Sequence, residues 1–162
     1  MIALLPDLRR YARFLLRQAA EADDLVQDSL MRALAALPQY QPGTSLRAWL
    51  FTIQRNVFYE QSRRRRTERR LLERADAADE HSAPAQHGHI DLADLTRHLF
   101  ELPPLLREAL VLVGAHGMSY DEAATVCAVP VGTIKARVSR ARTQLARSMA
   151  VDSAAVDRTA IE

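Results

Sequence analysis

The sequence predicts an all-α protein made of two small helical domains that a flexible linker joins. Apolar side chains recur at helical spacing in successive segments, and the chain of 162 residues is 48% hydrophobic with only five glycines. A third observation predicts the division into two domains: the segment 76–89 contains no Leu, Ile, Val, Phe, Tyr or Trp. Such a segment buries too little apolar surface to offset its ordering entropy. We therefore expect a domain at 1–74, a linker at 75–90, a second domain at 91–150 and a flexible tail at 151–162.

Three helices are predicted in the first domain, each with one apolar stripe. The second helix is expected to end before Pro38, and the third to begin after Gly43 with Thr44 or Ser45 as its N-terminal cap. The predicted stripes are, in chain order, Leu4, Leu8, Tyr11 and Leu15; Val26, Leu30, Ala33, Leu34 and Leu37; and Leu46, Trp49, Leu50, Ile53 and Val57.

The third helix has an outer face on which aromatic and basic residues alternate. Rings interleaved with guanidinium groups are typical of surfaces on which unpaired bases stack, at about 1–3 kcal/mol per base. For Phe51 and Phe58 the alternative is packing under the first helix. The predicted outer face comprises Phe51, Arg55, Phe58, Tyr59 and Ser62, followed by the arginine run 63–66.

Four helices are predicted in the second domain. Asp91 can cap the first of them, which runs to about Glu101. Pro103 and Pro104 then interrupt the chain and start the next helix, which Gly117 is expected to close in a left-handed conformation.

The stretch from Ser119 to Arg142 predicts a helix-turn-helix motif. Ser119 and Glu122 form an S-x-x-E capping box that begins the first helix. Pro130 lacks an amide hydrogen and is expected to end it. The second helix carries a buried stripe at i, i+4, i+7 and i+11, namely Ile134, Val138, Ala141 and Leu145.

The second helix of this motif has the composition of a DNA-reading helix. From Ala123 to Val151 the chain has five basic residues and no acidic one. Small side chains let a helix approach the major groove, Arg140 can bind a guanine edge, and Lys135 can reach phosphates. A solvated basic face is the alternative for an isolated helix, but the capped helix and proline turn beside it favour DNA binding. The candidate residues are Thr133, Lys135, Ala136, Arg137, Ser139, Arg140 and Thr143.

Charge and cysteine content restrict the other function classes. The net charge is only +2, so affinity for nucleic acid must come from segregated charge. Residues 45–74 carry nine basic and three acidic side chains, whereas residues 75–101 carry one and six. The single cysteine, Cys127, excludes an intrachain disulfide and is expected to be buried.

No catalytic, metal or membrane motif competes with DNA binding. The chain has no Gly-rich phosphate loop, no H-E-x-x-H and no nucleophile with a recognisable base nearby. His81, His87 and His89 lack regular ligand spacing. No apolar run approaches the ~20 residues that span a bilayer, and the start of the chain lacks a basic region before its short apolar stretch. We expect a cytoplasmic protein that is not an enzyme and needs no cofactor.

Three segments together resemble a known family over nearly the whole chain. The segments are DDLVQDSLMRAL, PGTSLRAWLFTIQRNVFYEQSRRRR and, after the acidic linker, LPPLLREALVLVGAHGMSYDEAATVCAVPVGTIKARVSRAR. Together they are similar to an extracytoplasmic-function (ECF) sigma factor of the sigma-70 family, with region 2 followed by region 4. LVGAHGMSYDEAA and GTIKARVSRAR most resemble the general-stress-response subgroup of alphaproteobacteria. Ala136 and His116 stand where relatives more often carry Ser, and the Ala136 departure bears on promoter preference.

The resemblance implies three binding surfaces. In the family, the DDLVQD segment docks on the clamp helices of the largest RNA polymerase subunits, which would assign polymerase binding to Asp24, Gln27, Asp28 and Met31. The loop LPQYQPGTS and the following helix correspond to the element that captures a flipped base of the −10 region. The helix-turn-helix would read the −35 element. The −10 residues implied here are Arg55, Asn56, Tyr59, Arg63 and Arg64.

The function implied is that of an RNA polymerase sigma factor that directs promoter-specific initiation, in a stress response under anti-sigma control. Its partners would be core RNA polymerase, promoter DNA and an anti-sigma protein that hides the polymerase-binding surfaces. The apolar positions around Leu92, Leu95 and Leu99 are the candidate contacts of the inhibitor; the alternative is that they pack on the core of the second domain. One alternative is a plain helix-turn-helix regulator, which usually dimerises, and no dimer helix is evident. The other is a sigma mimic that binds an anti-sigma protein without DNA and could dispense with the basic face.

Overall fold

The computed structural model describes residues 2–16, 18–73 and 90–159, and their side chains over 2–16, 18–70 and 95–150. Every regular element in these ranges is a helix, and the chain divides into two compact units, Met1–His87 and Gly88–Glu162. This confirms the all-α, two-domain prediction. The predicted linker lies outside the described residues apart from Ile90, where the second unit's first helix begins.

The described residues of the first unit form three α-helices. They are α1 (Leu5–Leu15), α2 (Ala19–Ala36) and α3 (Leu46–Glu73). Of the two predicted caps for α3, the structure uses Ser45, whose Oγ accepts a hydrogen bond from the Ala48 amide at 3.2 Å. Thr44 instead donates its hydroxyl to the Gln41 carbonyl at 2.8 Å and closes the turn before the helix.

The core of the first unit is centred on two stacked rings. Tyr11 and Phe51 are fully buried, with centroids 4.9 Å apart and planes 22° apart. Beside them Gln54 is also buried, and its side-chain amide donates to the Leu8 carbonyl at 2.9 Å, which ties α3 to α1. Phe51 therefore packs under the first helix and does not belong to an outer stacking face.

The buried stripe of α2 differs from the prediction in its last turns. Leu34 and Leu37 are 56% and 45% exposed, although both were expected to be buried. The reason is the phase of the helix: Ala33 fills the last core position, so Leu34 is turned 100° away from it, and Leu37 lies in a 3-10 turn beyond the helix end. The observed stripe is Ala22, Leu25, Val26, Ser29 and Ala33.

Residues 90–159 of the second unit form the four predicted helices. They are α4 (Ile90–Glu101), α5 (Pro104–Leu110), α6 (Tyr120–Cys127) and α7 (Val131–Thr159), with a π turn at Val111–Ala115 after α5. Because α4 begins at Ile90, Asp91 lies inside the helix and is not its cap. Gly117 has a φ of +62°, as predicted, and Cys127 is buried.

Helix α7 extends beyond the predicted end of the domain. The segment 151–162, expected to be a flexible tail, continues the helix as far as Thr159. Residues 151–159 contain neither Pro nor Gly, the two residues that most disfavour a helix interior, so nothing in the local sequence stops it.

Candidate nucleic-acid and polymerase interfaces

The turn between α6 and α7 positions the basic helix of the second unit. The Glu122 amide donates to Ser119 Oγ at 3.1 Å and the Ser119 amide donates to a Glu122 carboxylate oxygen at 3.0 Å, so both halves of the capping box form. Helix α6 ends at Cys127, and its C-cap Ala128, two residues before Pro130, has a left-handed φ of 53°. Sequence reasoning missed this residue because glycine, the usual signal of a left-handed helix end, is absent.

Helix α7 separates a buried face from an exposed face as predicted. Ile134, Val138 and Ala141 are buried in the core of the unit, whereas Leu145, the fourth predicted member of the stripe, is only half-buried. On the opposite side the small residues and Arg140 are exposed; Arg140 donates its Nε to the Ala136 carbonyl at 3.3 Å. No hydrogen bond or ion pair within the described residues engages its two terminal amino groups. The exposed face consists of Ala136, Ser139, Arg140 and Thr143.

The flanks of this face differ from one another. Lys135 is exposed, with its Nζ 5.9 Å from the centroid of the Tyr120 ring on α6. Thr133 and Arg137 are only half-exposed. The Arg137 Nη1 atom is inaccessible to solvent and has no hydrogen-bond partner in the described part of the chain. The structure therefore presents Lys135 to solvent more fully than Arg137.

On α3 the structure brings three of the predicted −10 residues together. The Arg55 guanidinium lies 4.6 Å from the centroid of the Tyr59 ring, and Arg63 donates its Nε to the Tyr59 carbonyl at 3.3 Å. The Phe58 and Tyr59 rings pack edge to face, with their centroids 5.1 Å apart. Asn56 is exposed on the same helix. We refer to Arg55, Tyr59 and Arg63 as the aromatic–arginine cluster.

Arg64 does not join this cluster. Nine residues separate it from Arg55, which at 100° per residue places the two on opposite sides of α3. Its Nε donates to a Glu68 carboxylate oxygen at 2.8 Å, and this bond raises the pKa of Arg64 above its ordinary value. Arg64 instead lines a groove between α2 and α3 that also includes Asp24 and Asp28.

The predicted polymerase-binding residues lie on one exposed side of α2, where Asp24, Gln27 and Asp28 line the α2–α3 groove. Asp24, Gln27, Asp28 and Met31 are all exposed, Met31 by 65%. Leu34 follows Met31 by three residues and is also exposed, so it extends the same surface. Sequence reasoning placed Leu34 in the core because an exposed apolar residue at this spacing has the same pattern as a buried one.

The described residues give no support to a metal site or a membrane span. They contain no group of three or more His, Cys, Asp or Glu side chains that could hold a metal ion. None of the described helices is long and apolar enough to cross a membrane.

Two family models match the chain, one in each unit. Residues 1–68 match Sigma-70 region 2 and residues 93–145 match Sigma-70, region 4. The two matches fall on the two structural units described above.

Curated relatives agree with these matches. The chain is 46% identical over 140 residues to the ECF RNA polymerase sigma factor EcfG of Rhodopseudomonas palustris, which covers 86% of this chain and 77% of the relative. It is 38% identical over 139 residues to the ECF RNA polymerase sigma factor SigC of Mycobacterium tuberculosis, covering 83% and 72%.

Solved structures give the same result. The sigma factor RpoE of Bartonella quintana, solved in complex with the anti-sigma factor NepR, is 44% identical, with a TM-score of 0.79 over 93% of this chain and 94% of that one. CnrH, solved with the cytosolic domain of CnrY, is 31% identical, with a TM-score of 0.65 over 90% and 81%.

Proposed function

The chain belongs to the sigma-70 family as an ECF RNA polymerase sigma factor, and from this premise we propose that it directs promoter-specific transcription initiation by core RNA polymerase in the cytoplasm. One observation carries the proposal: a single chain presents the exposed basic face of α7 and the exposed Asp24–Met31 surface of α2. A plain helix-turn-helix regulator needs only the first of these surfaces. The chemistry of RNA synthesis belongs to the polymerase.

Helix α7 is proposed to read the −35 element in the major groove. The exposed Ala136, Ser139 and Thr143 leave room for close approach, and the terminal amino groups of Arg140 can bind the O6 and N7 atoms of a guanine. Lys135 would bind phosphate. Its position over the Tyr120 ring restrains a flexible side chain, and a cation–π contact at an exposed site contributes about 0.5–1 kcal/mol. Thr133 and Arg137 would contact the backbone at the edges of this face.

The aromatic–arginine cluster is proposed to bind unpaired bases of the −10 element, with Asn56 beside it. Tyr59 offers a ring on which a base can stack, and Arg55 and Arg63 supply positive charge next to it. Arg64, which was predicted to share this role, lies on the other side of α3. It serves the −10 element only through the general positive field of the helix.

The different positions of Arg63 and Arg64 predict different effects on −10 binding. Arg63→Ala is expected to weaken binding of the holoenzyme to a single-stranded −10 oligonucleotide about 10- to 150-fold, because a hydrogen bond to a charged group contributes about 1.5–3 kcal/mol. Arg64→Ala is the matched control because it removes the same charge from the next residue. It should change that affinity by less than about twofold, since only a charge screened by salt is lost. Equal losses for the two variants would contradict the assignment.

Run-off transcription tests the central proposal. Purified chain added to purified core polymerase is expected to produce discrete transcripts from a pool of genomic promoter fragments, whereas core polymerase alone should produce none above background. Scrambled −35 sequences in the same fragments provide the control. Absence of any chain-dependent transcript would remove the support for a sigma factor.

We also propose that an anti-sigma protein controls the chain. The similar sigma factor RpoE was solved with the anti-sigma factor NepR, and CnrH was solved with the cytosolic domain of CnrY. Of the apolar positions predicted to receive the inhibitor, Leu99 is buried in the core of the second unit, Leu95 is 37% exposed, and the side chain of Leu92 lies outside the described residues. Of the two positions whose side chains the structure describes, Leu95 is therefore the one that remains a candidate contact, and the contact at Leu92 stays a prediction.

Affinity purification from unstressed cells is expected to recover a small inhibitor protein in near-equal amount with the chain. The reason is that a bound inhibitor hides the polymerase-binding surface until stress releases it. Mass spectrometry of the eluate, with the same purification from stressed cells as control, measures the ratio. Recovery of polymerase alone under both conditions would rule out this form of control.

A further inference from the structure

We infer that Gln61 is a positioning residue for Asp28, so that helix α3 sets the geometry with which α2 meets core RNA polymerase. The inference rests on the proposed function, which assigns Asp28 to the polymerase-binding surface. The Gln61 side-chain amide donates to the Asp28 carboxylate at 2.7 Å across the α2–α3 groove. Gln61 belongs to none of the surfaces assigned above.

In the described part of the groove, three side-chain contacts join α3 to α2. The central one is the Gln61–Asp28 bond, and it is the one in which α3 contributes an uncharged residue. Arg65 pairs with Glu21 at 3.2 Å, and Arg32 pairs with Glu60, with one of its two hydrogen bonds at 3.1 Å. Each ion pair neutralises the carboxylate it holds. The pKa of Glu60 lies below its ordinary value because Arg32 donates hydrogen bonds to it.

An amide donor holds Asp28 in a different way. It fixes one carboxylate oxygen without itself adding a positive charge. Arg32, one turn along α2, interacts electrostatically with Asp28 but donates its hydrogen bonds to Glu60, so the exposed Asp28 carboxylate stays accessible to a partner. Ordering a side chain during association costs conformational entropy, and a side chain that is already held loses less. The contact between Gln61 and Asp28 thus prepares an exposed carboxylate for docking and leaves its charge intact.

The packing of the two helices does not depend on this bond. Leu25 of α2 and Leu50, Phe51 and Val57 of α3 are buried in the core of the unit, whereas the Gln61–Asp28 bond is exposed at the surface. Loss of an exposed hydrogen bond should therefore leave the thermal unfolding midpoint nearly unchanged. A role in docking and a role in folding are separable by experiment.

The test measures the affinity of the purified chain for purified core RNA polymerase. Gln61→Leu is expected to weaken it about two- to tenfold, the range of one net hydrogen bond, at an unchanged unfolding midpoint. Gln61→Asn keeps the polarity but shortens the reach and should behave like the Leu variant. Gln61→Lys should weaken binding further, because its charge neutralises Asp28. Arg65→Gln, the matched control, removes the neighbouring contact and should stay within about twofold.

A double-mutant cycle with Asp28→Ala decides whether Gln61 acts through Asp28. In the Asp28→Ala background, Gln61→Leu should have no further effect on affinity. Two results would overturn the positioning role but leave the polymerase surface standing. In the first, Gln61→Leu weakens binding equally in the wild-type and Asp28→Ala backgrounds. In the second, Gln61→Leu has no effect on the wild-type chain although Asp28→Ala alone weakens binding. No loss from Asp28→Ala itself would overturn the polymerase surface and this inference together.

Discussion

Replacing both Asp24 and Asp28 by arginine is expected to abolish association with core RNA polymerase while both helical units stay folded. Both carboxylates are exposed on one side of α2, one helical turn apart, and face the α2–α3 groove. Two reversals change the local charge by four units, and a like charge opposite a binding partner costs several kcal/mol. Substitutions at such exposed sites usually change the free energy of unfolding by about half a kcal/mol or less.

Co-purification with core polymerase measures this effect, and circular dichroism measures folding. Asp23→Arg is the matched control because Asp23 is an exposed aspartate directly preceding Asp24, turned 100° away on the helix. It should co-purify at close to the wild-type level. A double arginine variant that is retained as well as the wild-type chain would refute the assignment of this surface.

The sequence predicted the second unit well because its signals are local. The capping box of α6 needs only Ser119 and Glu122, and the stripe of α7 repeats without ambiguity at Ile134, Val138 and Ala141. Three predictions failed here: Asp91 is not the cap of α4, α7 continues past the predicted end of the domain, and the left-handed conformation of Ala128 has no signature in the residue type.

The first unit was harder to predict because its helix phases depend on tertiary packing. In α2, alanines and leucines are all apolar, so periodicity could not decide that Ala33 is buried while Leu34 is exposed. The same ambiguity applies to Phe51, an aromatic residue that fits a stacking surface or a core equally well. Its stacking on Tyr11 settles the matter.

The candidate −10 surface shows a related limit of sequence reasoning. The arginine run 63–66 has no periodicity of its own, so the residue types alone do not assign its members to faces of α3. The core fixes the phase of the helix, and that phase separates Arg63 from Arg64. Gln54 and Gln61 escaped prediction for another reason, since neither an interior nor a bridging glutamine follows from local pattern.

On the second unit, Arg140→Ala is expected to weaken −35 binding by about 1–3 kcal/mol, on the order of 5- to 150-fold, and to relax the preference at one base pair. The terminal amino groups of Arg140 are the donors on this face that match a guanine edge. Truncation to alanine removes these hydrogen bonds, so the helix no longer distinguishes that base pair. Lys135→Ala should instead lower affinity for specific and scrambled DNA alike and reduce the salt dependence by about one unit, because one phosphate contact is lost.

Titration of both variants against a −35 duplex and a scrambled duplex, over a series of salt concentrations, separates these two effects. The matched comparison is informative because Arg140 and Lys135 lie on the same helix, both are exposed, and each substitution removes one positive charge. The change in specificity must therefore come from the geometry of the contact and not from charge alone. If Arg140→Ala weakens binding to both duplexes by the same factor, Arg140 contacts only phosphate, and base reading must be assigned to the small side chains Ser139 and Thr143.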